Sequence, residues 1–211
     1  MNQELPSAPQ VNVLPANKGV LSRSLLAVLG SFWIGAMFVG FSILAKEEFT
    51  PCETLKQTSA FPLASGIQLD PTRPSLLLFA HPHCPCTKAS FAELDRLLAS
   101  IQNKVFVVII FTIPNGAPLG WEEGDLLQTA KRMPGVNIFR DAGGKEAVRF
   151  GARGSGQVFL YATSGKLLFS GGITGSRGHE GDNLGRSSVT SLVLNGHPPV
   201  TSTPVFGCSL L

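Results

Sequence analysis

Two histidines and two cysteines crowd six positions, as His81, His83, Cys84 and Cys86, inside the stretch LLLFAHPHCPCTKASFAELDRLL (residues 76 to 98). An apolar run stops at this cluster and a helical pattern begins directly after it. Pro85 restricts Cys84 to extended conformations and suits the first position of a helix. The spacing therefore predicts Cys84 as the N-cap, Pro85 as the first helical residue and Cys86 as the second. A thiolate at a helix N-terminus gains backbone N–H hydrogen bonds and the positive end of the dipole, which lowers cysteine pKa. Thiolate is the reactive form, so Cys84 is the expected nucleophile. His81 and His83 add positive charge when protonated.

A reactive thiol needs a resolving partner or a metal. A bond between Cys84 and Cys86 closes a tighter ring than Cys-x-x-Cys does, and strained disulfides are easily reduced. Cys208 or Cys52 is the other choice of resolver. The four cysteines, at 52, 84, 86 and 208, allow three full pairings. A structural Cys52–Cys208 bond and a resolving role for Cys208 both stay open. In the metal reading, Cys84, Cys86, His81 and His83 supply two thiolates and two imidazoles, a set suited to Cu(I) or Zn. Four ligands so close in sequence do not easily meet on one ion, so a distant ligand such as His179 or Cys208 is needed. His179, Glu180 and Asp182 in GHEGDN read first as a solvated loop, and second as a site wall, cation site or proton source. His197, before two prolines, reads as a solvated loop residue.

These side chains need a scaffold. PSLLLFA (74 to 80) is a continuous apolar run that reads as a strand buried on both faces. In residues 87 to 101, Phe91, Leu94, Leu97, Leu98 and Ile101 recur every three or four positions, as in an amphipathic helix. KVFVVIIFTIP (104 to 114) predicts a second buried strand. Residues 120 to 133 predict a helix, acidic early and basic late, as the dipole favours. A short strand (136 to 141), a short helix (145 to 151) and a hairpin (157 to 172) follow. Asp182 or Asn183 caps a last helix (184 to 196) that Gly196 closes. The tail after it contains too many prolines to be helical. The order β-α-β-α-β-α-β-β-α implies an α/β domain with a parallel sheet and an antiparallel edge. Residues 81 to 86 then sit at the carboxyl end of a strand, where such sheets place their sites.

The rest of the chain bounds the setting. Leu25 to Ala45 is an uncharged apolar run of 21 residues, close to the roughly 20 needed to cross a bilayer. It exceeds a signal-peptide core of about 7 to 15 residues, which favours a retained anchor in membrane lipid over cleavage after Ala45. Lys18 and Arg23 precede it, so the positive-inside tendency places the N-terminus in the cytoplasm and the remainder outside, periplasmic or otherwise extracytoplasmic. The expected divisions are a disordered tail (1 to 23), an anchor (24 to 45), a linker with Cys52 (46 to 66) and an α/β domain (67 to 211). An exported domain permits disulfides. The net charge of +3 is too small to point to nucleic acid.

A strand followed by a cysteine pair with proline at a helix start resembles the thioredoxin-like superfamily. FRDAGGKEAVRFGARGSGQVFLYATSGKLLFSGG is similar to the second half of its membrane-anchored, TlpA/peroxiredoxin-like members. HPHCPCTKAS, SGGITGSRGHEGDN and the terminal PVFGC together resemble the RedB-like group. The resemblance implies a thioredoxin-like fold, a central mixed sheet flanked by helices. It also implies a thiol–disulfide oxidoreductase acting without a cofactor on exported protein thiols, disulfides or peroxide. The alternatives are a copper metallochaperone that carries Cu(I), and an idle interaction domain. Two departures matter. If Cys86 matches the family's second cysteine, His83 stands where the nucleophile should; if Cys84 matches the first, Thr87 stands where the resolver should. Gly156 falls at the family's cis-proline position, a loop that helps keep metals out, so its change favours the metal reading.

Overall fold

The computed structural model describes residues 20–53 and 59–210. Most of the expected disordered tail lies outside the described residues. The chain divides into two compact units, Met1–Ala45 and Lys46–Leu211. The first described element is α1 (Val20–Phe49), which takes in four residues of the expected tail and four of the expected linker. Its Ser22–Phe49 portion is long and apolar enough to cross a membrane, near the N-terminus. Both an anchor and a signal sequence have that character.

The second unit is built on a five-stranded mixed sheet. Its elements are β1 (Ser75–Ala80), α2 (Thr87–Ile101), β2 (Phe106–Ile113), α3 (Asp125–Arg132), β3 (Val136–Ala142), α4 (Lys145–Phe150), β4 (Gln157–Tyr161), β5 (Leu167–Gly172) and α5 (Leu184–Asn195). The strand order is β3-β2-β1-β4-β5. β1, β2 and β3 run parallel, while β4 and β5 pair antiparallel. β1 is buried at every residue, as its unbroken apolar run requires. Its alternation feeds two cores. Leu76 and Leu78 face a core shared with Phe91, Leu94, Leu97, Leu126 and Val189 from α2, α3 and α5. Leu77 and Phe79 face a core with Phe150 and Tyr161 on the α4 side.

The expected element order is observed, with one shift that has a physical cause. The expected helix at 120–133 begins only at Asp125, because Gly120 (φ +77°) turns the chain and Gly124 is fully extended. Of the two expected caps for α5, Asn183 caps it, its side chain accepting from Arg186 N at 2.8 Å. Asp182 ion-pairs instead with the Arg186 guanidinium at 2.8 Å.

The expected linker docks. Leu167 N–H donates to Ser59 O at 2.9 Å and Phe61 N–H to Gly165 O at 2.8 Å. The Phe61 ring meets Tyr161 of β4 edge-on at 5.2 Å. The proline-rich tail runs extended along β5 and then meets the segment before β4. Gly172 N–H donates to Pro204 O, Ser155 N–H to Cys208 O and Leu210 N–H to Arg153 O, at 2.8 to 3.1 Å. This lacing carries Cys208 back to the end of β1.

One buried carboxylate ties the glycine-rich loop, residues 173–183, to α2. Glu93 has no exposed surface. It accepts from Gly181 N at 2.8 Å and Asn183 Nδ2 at 3.2 Å, and ion-pairs with Arg186 at 2.9 Å and with Arg96. Removing one partner of a buried pair costs about 3 to 5 kcal/mol. Glu93→Ala is therefore expected to lower unfolding stability by about that amount in denaturant titration, and to make the 173–183 loop a preferred site of limited proteolysis.

Candidate functional site

The chain turns sharply where β1 ends. Cys84 N–H donates to His81 O at 3.1 Å. Thr87, Lys88 and Ala89 N–H then donate to Cys84, Pro85 and Cys86 O at 3.1, 3.3 and 3.2 Å. These three-residue closures form a tight first turn, and the regular helix starts at Thr87 with Cys86 as its N-cap. The expected N-cap at Cys84 is thus corrected by two residues, and Cys86 makes no side-chain cap bond. The turn tucks the Cys84 side chain inward, where it is 1% exposed, while Cys86 stays half-buried.

Three of the expected residues come together. The thiols of Cys84, Cys86 and Cys208 lie within 4.8 Å of one another. Burial opposes ionisation of Cys84. Hydrogen bonds from the Cys208 thiol, the Thr87 hydroxyl and the backbone N–H groups of Cys208 and Cys86 outweigh it, and hold Cys84 below the ordinary thiol range. The other two thiols move the opposite way. Burial, then the charge of Cys84 and a hydrogen bond to it, raise Cys86, against Arg177 and Cys208. Burial, the hydrogen bond to Cys84 and the charges on Cys84 and Cys86 push Cys208 up to about 12, with Arg177 opposing. The cluster therefore holds one acidic thiol between two reluctant ones.

Ser155 is the joint of this arrangement. It is 1% exposed. Its Oγ accepts from His81 N–H at 2.8 Å and shares a proton with Thr87 Oγ1 at 2.6 Å, while its own N–H donates to Cys208 O at 2.8 Å. One small side chain thus links the end of β1, the start of α2 and the tail. Beside it, Gly156 has φ +89°, and a Cβ there would lie 2.4 Å from Ser90 Oγ. Gly156 N–H donates to Phe79 O at 2.7 Å. The positive φ and the Ser90 side chain together disfavour a larger residue at this position.

The histidines do not join the thiols. His81 Nδ1 accepts from His83 N–H at 3.2 Å, and burial and the neighbouring His83 hold His81 below the usual histidine range. His83 Nε2 meets Trp121 O at 2.7 Å, and both rings stand edge-on to the Trp121 indole. Among the described residues, the group able to share a metal ion is Cys84, Cys86 and Cys208. The expected His81–His83–Cys84–Cys86 donor set is corrected accordingly, because the two imidazoles are spent on the turn and on the 114–124 loop. His179 faces Glu48 at 3.2 Å rather than the thiols. Cys52 is a free thiol whose Sγ donates to Gly207 O at 3.1 Å, next to Cys208 but bonded to the backbone. Sequence reasoning missed Thr87, Ser155, Trp121 and Arg177. Thr87 and Ser155 had a faint signal, as small hydroxyl residues flanking the motif and Gly156. A cavity of about 710 Å³ between α2 and α3 is lined by no cysteine. A smaller one, about 440 Å³, adjoins the site through His81 and Ser209.

No family model matches the sequence, and no curated protein matches it. Solved structures do match. An uncharacterised conserved protein from Geobacillus kaustophilus aligns with TM-score 0.55 and 19% identity, over 77% of this chain and 92% of that one. A hypothetical protein from Sinorhizobium meliloti 1021 aligns with TM-score 0.57 and 18% identity, over 76% and 97%. A secreted Mycobacterium tuberculosis disulfide oxidoreductase homologous to E. coli DsbE overlaps more loosely, with TM-score 0.41 and 18% identity, over 65% and 94%. The β2-β1-β4-β5 core, with β4 antiparallel to β1 and the cysteine turn at the end of β1, decides the fold. It is thioredoxin-like. In this thioredoxin-like domain β3 and α4 extend the sheet beyond β2, and the tail adds a third thiol.

The donors around Cys84 make a direct check. Its alkylation by iodoacetamide is expected to titrate at lower pH than that of Cys86 or Cys208, followed peptide by peptide by mass spectrometry. Thr87→Val removes one hydrogen bond to the thiolate and is expected to shift the Cys84 profile toward higher pH. An unmoved profile would remove Thr87 from the site.

Proposed function

We propose that the chain is a membrane-anchored thiol–disulfide oxidoreductase with Cys84 as nucleophile and Cys208 as resolver. The observation that carries this is the three-thiol cluster, with its acidity concentrated on Cys84. The Cys84 thiolate attacks a partner disulfide, forms a mixed disulfide and releases one partner thiolate. Cys208, as thiolate, attacks the Cys84 sulfur and releases the second. The protein loses two electrons as a Cys84–Cys208 bond forms, and the partner gains them with two protons from the thiols. Cys86 is the weaker resolver. A Cys84–Cys86 bond would close a ring across a turn already fixed by three hydrogen bonds, whereas Cys208 arrives on a separate segment. Peroxide is a second substrate class, attacked at oxygen to give a sulfenic acid that Cys208 condenses with, releasing water.

Exported protein dithiols and disulfides are the proposed partners, with α1 as anchor and the domain outside the cytoplasmic membrane. The three segments that resemble RedB-like proteins all meet at the cluster, through Cys84 and Cys86, Arg177 and Cys208. That convergence supports the narrower kinship.

A second reading rests on the same three sulfurs. Soft thiolates within 4.8 Å of one another fit Cu(I) as cargo, with Cys84, Cys86 and Cys208 as its ligands. Thiol–disulfide exchange is preferred because the hydrogen-bond donors converge on one sulfur, that of Cys84.

Insulin reduction by the full chain is expected to vanish in Cys84→Ser. Cys208→Ser should accumulate the mixed disulfide, and Cys86→Ser should retain turnover. Equal loss in Cys86→Ser and full activity in Cys208→Ser would exchange their roles, and unchanged activity in Cys84→Ser would end the reading. In a competition titration with a Cu(I) chelator, tight one-to-one binding lost in Cys208→Ser but kept in His81→Ala/His83→Ala, together with no insulin reduction, would install the copper reading instead.

A further inference from the structure

The loop between β5 and α5 brings one cation to the thiols. Arg177 is half-buried there. Its guanidinium donates to Gly207 O at 2.7 Å, Glu47 O at 3.3 Å and Thr50 O at 3.4 Å, and its backbone N–H donates to Glu48 O at 3.1 Å. All four acceptors are backbone carbonyls. Among the described residues no carboxylate pairs with it. The nearby Glu48 side chain is turned to Ser176 and His179, each at 3.2 Å. The positive charge of Arg177 is therefore left to act on the two thiols it reaches, Cys86 and Cys208.

Its best hydrogen bond is to the carbonyl directly before Cys208. The same carbonyl accepts from the Cys52 thiol at 3.1 Å. A Cβ at Gly207 would lie 2.0 Å from Ser155 O, so the tail passes there without room for a side chain. The peptide that orients Cys208 is thus held on one side by Ser155 and on the other by Arg177 and Cys52. The groups that lower Cys84 are Cys208, Thr87 and two amides.

We propose that Arg177 is the positioning residue of the resolving step: it fixes the Gly207–Cys208 peptide and supplies the charge that steadies Cys208 as it attacks the mixed disulfide. This inference rests on the exchange reading above. In the resting cluster the charge on Cys84 opposes ionisation of Cys208. Once Cys84 is bonded to a partner sulfur, that charge is gone, and Arg177 works against burial and Cys86 alone. The Cys208 proton passes to solvent, its sulfur bonds to Cys84 Sγ, and the Cys84–partner bond breaks with the electron pair leaving on the partner thiolate. Attack by Cys84, the earlier step, depends on Arg177 only indirectly, through the Cys208 donors to the Cys84 sulfur.

The test is a single-turnover reaction of the reduced full chain, in detergent, with oxidised glutathione. Samples are acid-quenched and the Cys84–glutathione adduct is followed by mass spectrometry. Arg177→Met is expected to resolve the adduct about tenfold more slowly and to slow its formation much less. Arg177→Lys keeps the charge and is expected to recover most of the resolution rate. Equal resolution in Arg177→Met and wild type would overturn the proposal. So would an equal slowing of both steps that Arg177→Lys does not relieve, since that pattern marks a merely structural residue. If the wild-type chain forms no Cys84 adduct at all, the exchange reading itself falls, an outcome distinct from either.

Discussion

Burial alone would keep Cys84 a neutral thiol. The structure depends on the answer it gives to that cost: a thiol, a hydroxyl and two backbone N–H groups aimed at one sulfur. The donors come from two constraints. Thr87 is placed by the tight turn after Pro85, the Cys86 amide by the same turn, and Cys208 by a tail that reaches the site only because its backbone pairs with Ser155 and Gly172. In the proposed exchange this asymmetry selects which sulfur attacks first. A buried sulfur reached by donors from two segments is also sensitive to any displacement between them, since the hydrogen bonds weaken steeply with distance and angle.

Much of the scaffold was legible because it follows from periodicity. The apolar runs at 74–80 and 104–114 became adjacent parallel strands, and the spacing of Phe91, Leu94, Leu97 and Ile101 became the buried face of α2. The local turn was read less well. Proline chemistry located the start of the helix, but the three-residue hydrogen bonds that delay it to Thr87 depend on how β1 ends and on Ser155, a residue 71 positions from Cys84 in sequence. The orientation of the histidines, ligands only in the alternative metal reading, was hidden for the same reason. Their proximity in sequence to the cysteines is real, but the turn points them at Trp121 and at each other. No pattern within 76–98 carries that information.

The tail and the glycine-rich loop show how far apart in sequence a site can be assembled. Cys208 and Arg177 have no local signature. They are brought in by glycines that permit close backbone passage, at 207 against Ser155, and by a buried carboxylate, Glu93, that holds the loop end. The segment 46–53, which reads as linker, contributes three carbonyls and the Cys52 thiol to the same corner. A thioredoxin-like sheet thus carries a site whose second half lies outside the core fold, in the additions that flank it.

The most direct measurement is a disulfide map of the full chain after oxidation by one equivalent of a small disulfide, read by mass spectrometry of unreduced peptides. A Cys84–Cys208 bond, with Cys52 and Cys86 left as thiols, is the expected product. A Cys52–Cys208 bond with Cys84 still free would contradict the roles assigned to both cysteines of the pair.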